Sequence, residues 1–241
     1  MPIYSRGEVN IYYEDVGRGF PILLIAPGGM KSTISFWEQT PWNPIEELSD
    51  KFRVIAMDQR NAGQSTAPVT ADDGWHSYTE DQLGLMDHLG IREFHVAGMC
   101  IGGPYALALI QAVPKRVASA TLFQSIGRDN NQDAFYAMFD SWAEPLMSQR
   151  PETSAQDWAE FRERMYGGDQ ILFCLDESYV ASCATPLLIL QGDDLYHPKS
   201  TSQMLAATAP LVQYLEQWKE GESRDQARQI CRAFLEQHTP G

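Results

Sequence analysis

A chain of 241 residues with a formal net charge of −14 has no basic surface with which to neutralise phosphates, which argues against nucleic-acid binding. Its 44% hydrophobic and 21% charged residues describe an ordinary folded chain, one domain at this length. No apolar run approaches the ~20 residues of a membrane helix, and Cys100, Cys174, Cys183 and Cys231 form no C-x-x-C pair, so a reducing, cytoplasmic setting is expected.

The opening "MPIYSRGEVNIYY" has neither a basic start nor an apolar core, so no signal peptide is expected. "VNIYYEDVG" alternates like a strand and stops at glycine. "PILLIAPGG" and "FRVIAMDQR" are continuous apolar runs, followed by helical spacing in "SYTEDQLGLMDHLG". "FHVAGM", "IGGPYALALIQAV" and "ASATLFQS" then read as strand, helix and strand. The regularity breaks between about Arg128 and Cys183. There Phe135, Met138, Phe139, Trp142 and Leu146 share one helical face, and Trp158, Phe161 and Met165 another. This predicts a helical cap insertion at 128–183 in a core made of 1–127 and 184–241. "PLLILQGDD", "PKSTSQMLAATA", "VQYLEQW" and "SRDQARQICRAFLEQH" close the chain as strand, helix, strand and helix. Short apolar runs alternating with helices predict an α/β fold, a mostly parallel sheet flanked by helices.

Three motifs, in this order, carry a family resemblance. "DQRNAGQS" resembles D-x-R-G-x-G-x-S, keeping Asp58, Arg60, Gly63 and Ser65 but with Asn61 where glycine is usual. "GMCIGG" resembles the nucleophile elbow G-x-S-x-G, with Cys100 at its centre. "LLILQGDD…HP" resembles the strand and loop that carry a catalytic acid. Over nearly its whole length the chain resembles the α/β-hydrolase superfamily, with a cysteine nucleophile as in its dienelactone-hydrolase-like members. The resemblance implies an enzyme whose Cys100 attacks a carbonyl, and an oxyanion hole formed by the amide of Ile101 and that of Gly29 or Met30 in "APGGMKS". Pro27 stands where the family usually has histidine.

The family's catalytic histidine lies between the last strand and the last helix, and here that loop, "KEGES", has none. His238 sits at the chain's end, His88 and His95 in elements leading to the elbow, and His76 in a loop. His197 is the candidate base, because "GDDLYHP" leaves its strand at the carboxyl end, where ligands gather in such sheets. Asp194 is the candidate acid that orients it, with Asp193 as the other choice. A helix beginning after His197 would keep the imidazole neutral. A cysteine needs less help than a serine, being a few per cent thiolate near neutral pH, so His197 would serve chiefly the water step.

The expected reaction is hydrolysis of an ester, thioester or lactone of a small to medium apolar acyl compound, through an acyl-enzyme. Phe139, Trp142 and Trp158 are the candidate substrate-binding residues. No cofactor or metal is expected, and the expected partner is a small-molecule substrate rather than a nucleic acid or membrane. A homodimer is compatible with the sequence. Two other classes remain open: a degenerate hydrolase that binds a ligand without turnover, and a lyase or acyltransferase on the same fold.

Overall fold

The computed structural model describes residues 2–241. Its eight strands are β1 (Ile3–Arg6), β2 (Val9–Gly17), β3 (Pro21–Ile25), β4 (Arg53–Met57), β5 (Phe94–Met99), β6 (Val117–Phe123), β7 (Leu187–Leu190) and β8 (Val212–Leu215). They form one sheet in the order β1-β2-β4-β3-β5-β6-β7-β8. β2 pairs antiparallel with β1 and β4, and every later neighbour is parallel. β1 escaped the sequence reading because four mostly exposed residues at an edge carry no apolar run.

The eight helices are α1 (Pro44–Leu48), α2 (Trp75–His88), α3 (Gly102–Ala112), α4 (Gln132–Met147), α5 (Ala155–Tyr166), α6 (Glu177–Ser182), α7 (Lys199–Thr208) and α8 (Gly221–Gln237). Side chains alternate across a strand, so each central strand feeds two cores. In β3, Leu23 and Ile25 join Val96 and Tyr105 beneath α2 and α3. Ile22 and Leu24 join Trp37, Trp218 and Phe234 beneath α8. Covering both faces is why these strands read as unbroken apolar runs. α4, α5 and α6 lie between β6 and β7 with no strand among them. No helix among the described residues is long and apolar enough to cross a membrane.

The "DQRNAGQS" turn is structural. Asp58 accepts the amides of Ile34 (2.8 Å) and Gln64 (2.9 Å), and buried Arg60 is held by Asp81 and Asp73. Asn61 has φ +57°, in the left-handed region that glycine enters freely and asparagine better than most residues. Its side-chain oxygen accepts the Ala67 amide at 2.9 Å and Arg150 at 2.7 Å, and its carbonyl accepts Trp142 Nε1 at 3.1 Å. Asparagine thus matches the backbone that glycine would supply and adds ties to the helical segment.

Candidate active site

β5 ends at Met99, Cys100 turns the chain at φ +62°, and α3 begins at Gly102. The left-handed conformation costs a non-glycine residue about 1–2 kcal/mol, and it aims the side chain out of the sheet's carboxyl edge. The flanking glycines are required by space. A Cβ on Gly98 would lie 2.1 Å from the Gly102 carbonyl oxygen, and one on Gly102 would lie 2.6 Å from that of Ile25. Backbone bonds hold the turn: the Cys100 amide donates to Phe123 at 3.0 Å, and the Ile126 amide donates to the Cys100 carbonyl at 3.1 Å.

Cys100 opens onto a cavity of about 350 Å³ whose walls also include Gly28, Gln124, Phe135, Met138 and His197. His197 arrives from the loop between β7 and α7. Its Nδ1 lies 2.8 Å from both carboxylate oxygens of Asp194. Asp194 Oδ1 also accepts the amides of Tyr196 (2.9 Å) and His197 (3.0 Å), so acid and imidazole are locked within one four-residue turn. Asp193 points elsewhere, paired with Lys219. His197 Nε2 is buried, has no other partner and falls short of a full hydrogen bond to Cys100, yet the two groups are close enough to shift each other's proton affinity.

Burial pushes the Cys100 thiol up, but His197 together with the amides of Gly28 and Ile101 outweighs it and holds the thiol below its ordinary value. Burial pushes the His197 imidazole down, but Cys100 and Asp194 outweigh it and raise it to about 9. Both shifts favour the charged form, Cys100 towards thiolate and His197 towards imidazolium. The expectation of a neutral His197 therefore fails: α7 begins only at Lys199, and two acidic partners outweigh the field at a helix start. Burial likewise raises the thiols of Cys174, Cys183 and Cys231. Iodoacetamide should label Cys100 first, with a pH profile that levels off below the ordinary thiol range. A faster reaction at any of the other three would remove the basis for this pair.

The amides beside the sulfur belong to Ile101 and Gly28. Gly29 lines the cavity. Met30 does not: it is buried, its sulfur 4.0 Å from the Tyr78 hydroxyl. Gly28 and Gly29 are held tight by apolar neighbours, since a Cβ would lie 2.8 Å from the Phe36 ring at Gly28 and 2.4 Å from Met138 Sδ at Gly29. Phe139, Trp142 and Trp158 do not line the cavity. They are buried against one another and Phe161, with ring centroids 5.2–5.9 Å apart, because their stripe faces the α4–α5 seam. Phe135 and Met138 are the α4 residues that reach the site.

The other histidines lie elsewhere. His95 bonds Ser119 and Thr239 (2.8 and 3.0 Å), and burial drives it down to about 4. His88 packs on Tyr4, His238 on Phe234, and His76 lines a separate groove beside Trp75. The sequence reading missed Gly28, Phe36 and Gln124. Gly28 adjoined the chosen pair, whereas nothing in "LFQS" signals that Gln124 turns into the cavity.

A mostly parallel sheet with a sharp left-handed turn after its fifth strand, facing an amide pair and a His–Asp loop, defines an α/β protein of the nucleophile-elbow class. The alpha/beta hydrolase fold family matches residues 21–174, well over half of the chain, and the chain belongs to that family. RutD of Azorhizobium caulinodans is 37% identical over 131 residues, 53% of this chain and 46% of the relative. The 2-hydroxymuconate semialdehyde hydrolase of Pseudomonas putida is 34% identical over 120 residues, 47% of this chain and 39% of the relative. The chain spans about half the length of the curated relatives it matches. Among solved structures, the meta-cleavage product hydrolase CumD superposes with a TM-score of 0.74 at 21% identity, covering 98% of both chains.

Proposed function

We propose that the chain is a cysteine-dependent hydrolase of esters, thioesters or lactones. The observation that carries this reading is the convergence on one apolar cavity of Cys100, the Asp194–His197 pair and the amides of Gly28 and Ile101. Relatives named as hydrolases, among them that of Pseudomonas putida, support hydrolysis as the kind of reaction. In this mechanism the Cys100 thiolate adds to the carbonyl carbon. The oxyanion is held by the two amides, preorganised donors that cost no rearrangement. The His197 imidazolium gives its proton to the leaving oxygen or sulfur, and the acyl group remains on Cys100 as a thioester. Water then attacks the thioester, its proton passing to neutral His197, and the thiolate leaves.

The cavity bounds the acyl group. At about 350 Å³ it sits near the lower end for ligand pockets. Its walls are mainly apolar and include no Arg or Lys among the described residues. The acyl part is therefore small to medium and uncharged. α4 acts as a cap over the site, contributing Phe135 and Met138. A working thiolate fits a reducing, cytoplasmic setting.

Intact-mass measurement of the wild-type chain after mixing with an activated short-chain ester tests the reading. One acyl adduct that disappears with time supports it. An adduct passed to an added amine in preference to water points to a transferase instead. No adduct at all points to a binding protein without turnover.

A further inference from the structure

Gln124 follows β6 with φ +36°, one of five non-glycine residues at positive φ among the described residues. Glutamine has no intrinsic liking for that region, unlike Asn61, and such strain gathers at functional sites. The turn is fastened to the elbow from both sides. The Cys100 amide donates to Phe123, the Ile126 amide donates to Cys100, and the Gln124 amide donates to the end of β7 at Leu190 (2.7 Å). Gln124 is thereby fixed relative to both Cys100 and the strand that leads to His197. Its side chain lines the same cavity as these two, half-buried, and makes no hydrogen bond to the described residues.

The second half of the reaction needs such a group. A water held in a protein site makes about three hydrogen bonds. One goes to His197 Nε2, which has become the acceptor once the thiolate is acylated. The other polar side chains of the cavity are poorly suited to provide the next. Thr40 Oγ1 lies within bonding distance of the carbonyls of Trp37 and Trp42, at 2.7 and 2.8 Å. Gln39 is exposed, and Tyr196 turns its ring against Phe135 at 5.4 Å. The amide of Gln124 remains, with both donors and an acceptor.

We propose that Gln124 positions the hydrolytic water against the Cys100 thioester, a role that rests on the cysteine-hydrolase reading above. The water oxygen bonds to the acyl carbon and its proton goes to His197 Nε2. The carbon–sulfur bond breaks, the sulfur leaves as thiolate beside the new imidazolium, and the carboxylic acid departs. Gln124 exchanges no proton and acts only by holding the water in line.

The test is stopped-flow and intact-mass kinetics with an activated ester on wild type, Gln124→Leu and Gln124→Gly. Leucine keeps the bulk and removes the amide. Glycine removes the amide and relieves the backbone, so its melting temperature should match or exceed the wild type's. Both variants should form the adduct at the wild-type rate and lose it at least ten times more slowly. Hydroxylamine, which attacks a thioester without a base, should restore turnover in both. Wild-type deacylation in either variant, or an equal slowing of adduct formation and loss, overturns the role of Gln124. A wild-type chain that never forms an adduct overturns the cysteine-hydrolase reading instead, so the two failures are told apart.

Discussion

Cys100→Ala is expected to abolish turnover while leaving the melting temperature close to that of the wild type. Alanine carries the same backbone strain at φ +62° as cysteine, and Cys100 packs only at the margin of both cores, so little stability is at stake. Loss of a nucleophile commonly lowers kcat on the order of 10⁴-fold or more, to what the oxyanion donors and binding alone provide. Steady-state assay and intact-mass measurement check this together, because no adduct should form. Cys100→Ser should fail nearly as badly. The surroundings hold the Cys100 thiol below its ordinary value, and a serine hydroxyl, far less acidic to begin with, does not ionise under the same influences. Turnover by Cys100→Ala within tenfold of wild type would exclude the acyl-enzyme route.

His197→Ala is the second large effect, and it reaches both half-reactions. The sequence suggested that a self-activated thiol would spare the first. The structure places Cys100 in a buried setting that raises the thiol, with His197 as the foremost influence lowering it. Without the imidazole the thiol rises, and each unit of that rise removes a factor of ten in thiolate at a pH below its ionisation. General acid–base help contributes another ~10²–10⁴. Turnover at pH 7 should therefore fall at least 100-fold, with adduct formation recovering at high pH and adduct loss not recovering. In the wild type, His197 is raised, so its proton is present below about 9 and lost above it. The profile of kcat/KM should rise as Cys100 ionises and fall through about 9. Asp194→Asn removes one of the two groups that raise His197, and the falling limb should move to lower pH. Asp193→Asn, at the Lys219 pair, should leave it in place. A His197→Ala profile identical to wild type would exclude the ion pair.

The central strands and long helices were legible because two-sided burial writes continuous apolar runs and one-sided burial writes a helical stripe. The elbow was legible because Gly98 and Gly102 stand two residues either side of Cys100, between an apolar run and a helical pattern, and both positions lack room for a Cβ. His197 and Asp194 could be placed at the same sheet edge as Cys100 by strand polarity. Their mutual bond, and the balance that shifts each group, depend on distances that sequence spacing does not encode. The cavity-lining residues were misassigned for a related reason. Phe135, Phe139 and Trp142 look equivalent along α4, and only the packing of α5 decides that Phe139 and Trp142 are sealed inside while Phe135 meets the cavity. Gln124 was invisible because its role lies in a backbone angle.

The Asp194–His197 turn closes on itself through the carboxylate's bonds to two amides and the imidazole of the same four residues. With the imidazole and carboxylate carried there, no residue of β8 or α8 lines the cavity. The junction at Lys219–Gly221 is thus free of chemical duty, and it is exposed at Glu220 and Gly221. A short flexible insertion between Glu220 and Gly221 is therefore expected to leave turnover unchanged, because it interrupts none of the segments that carry Cys100, Asp194 and His197.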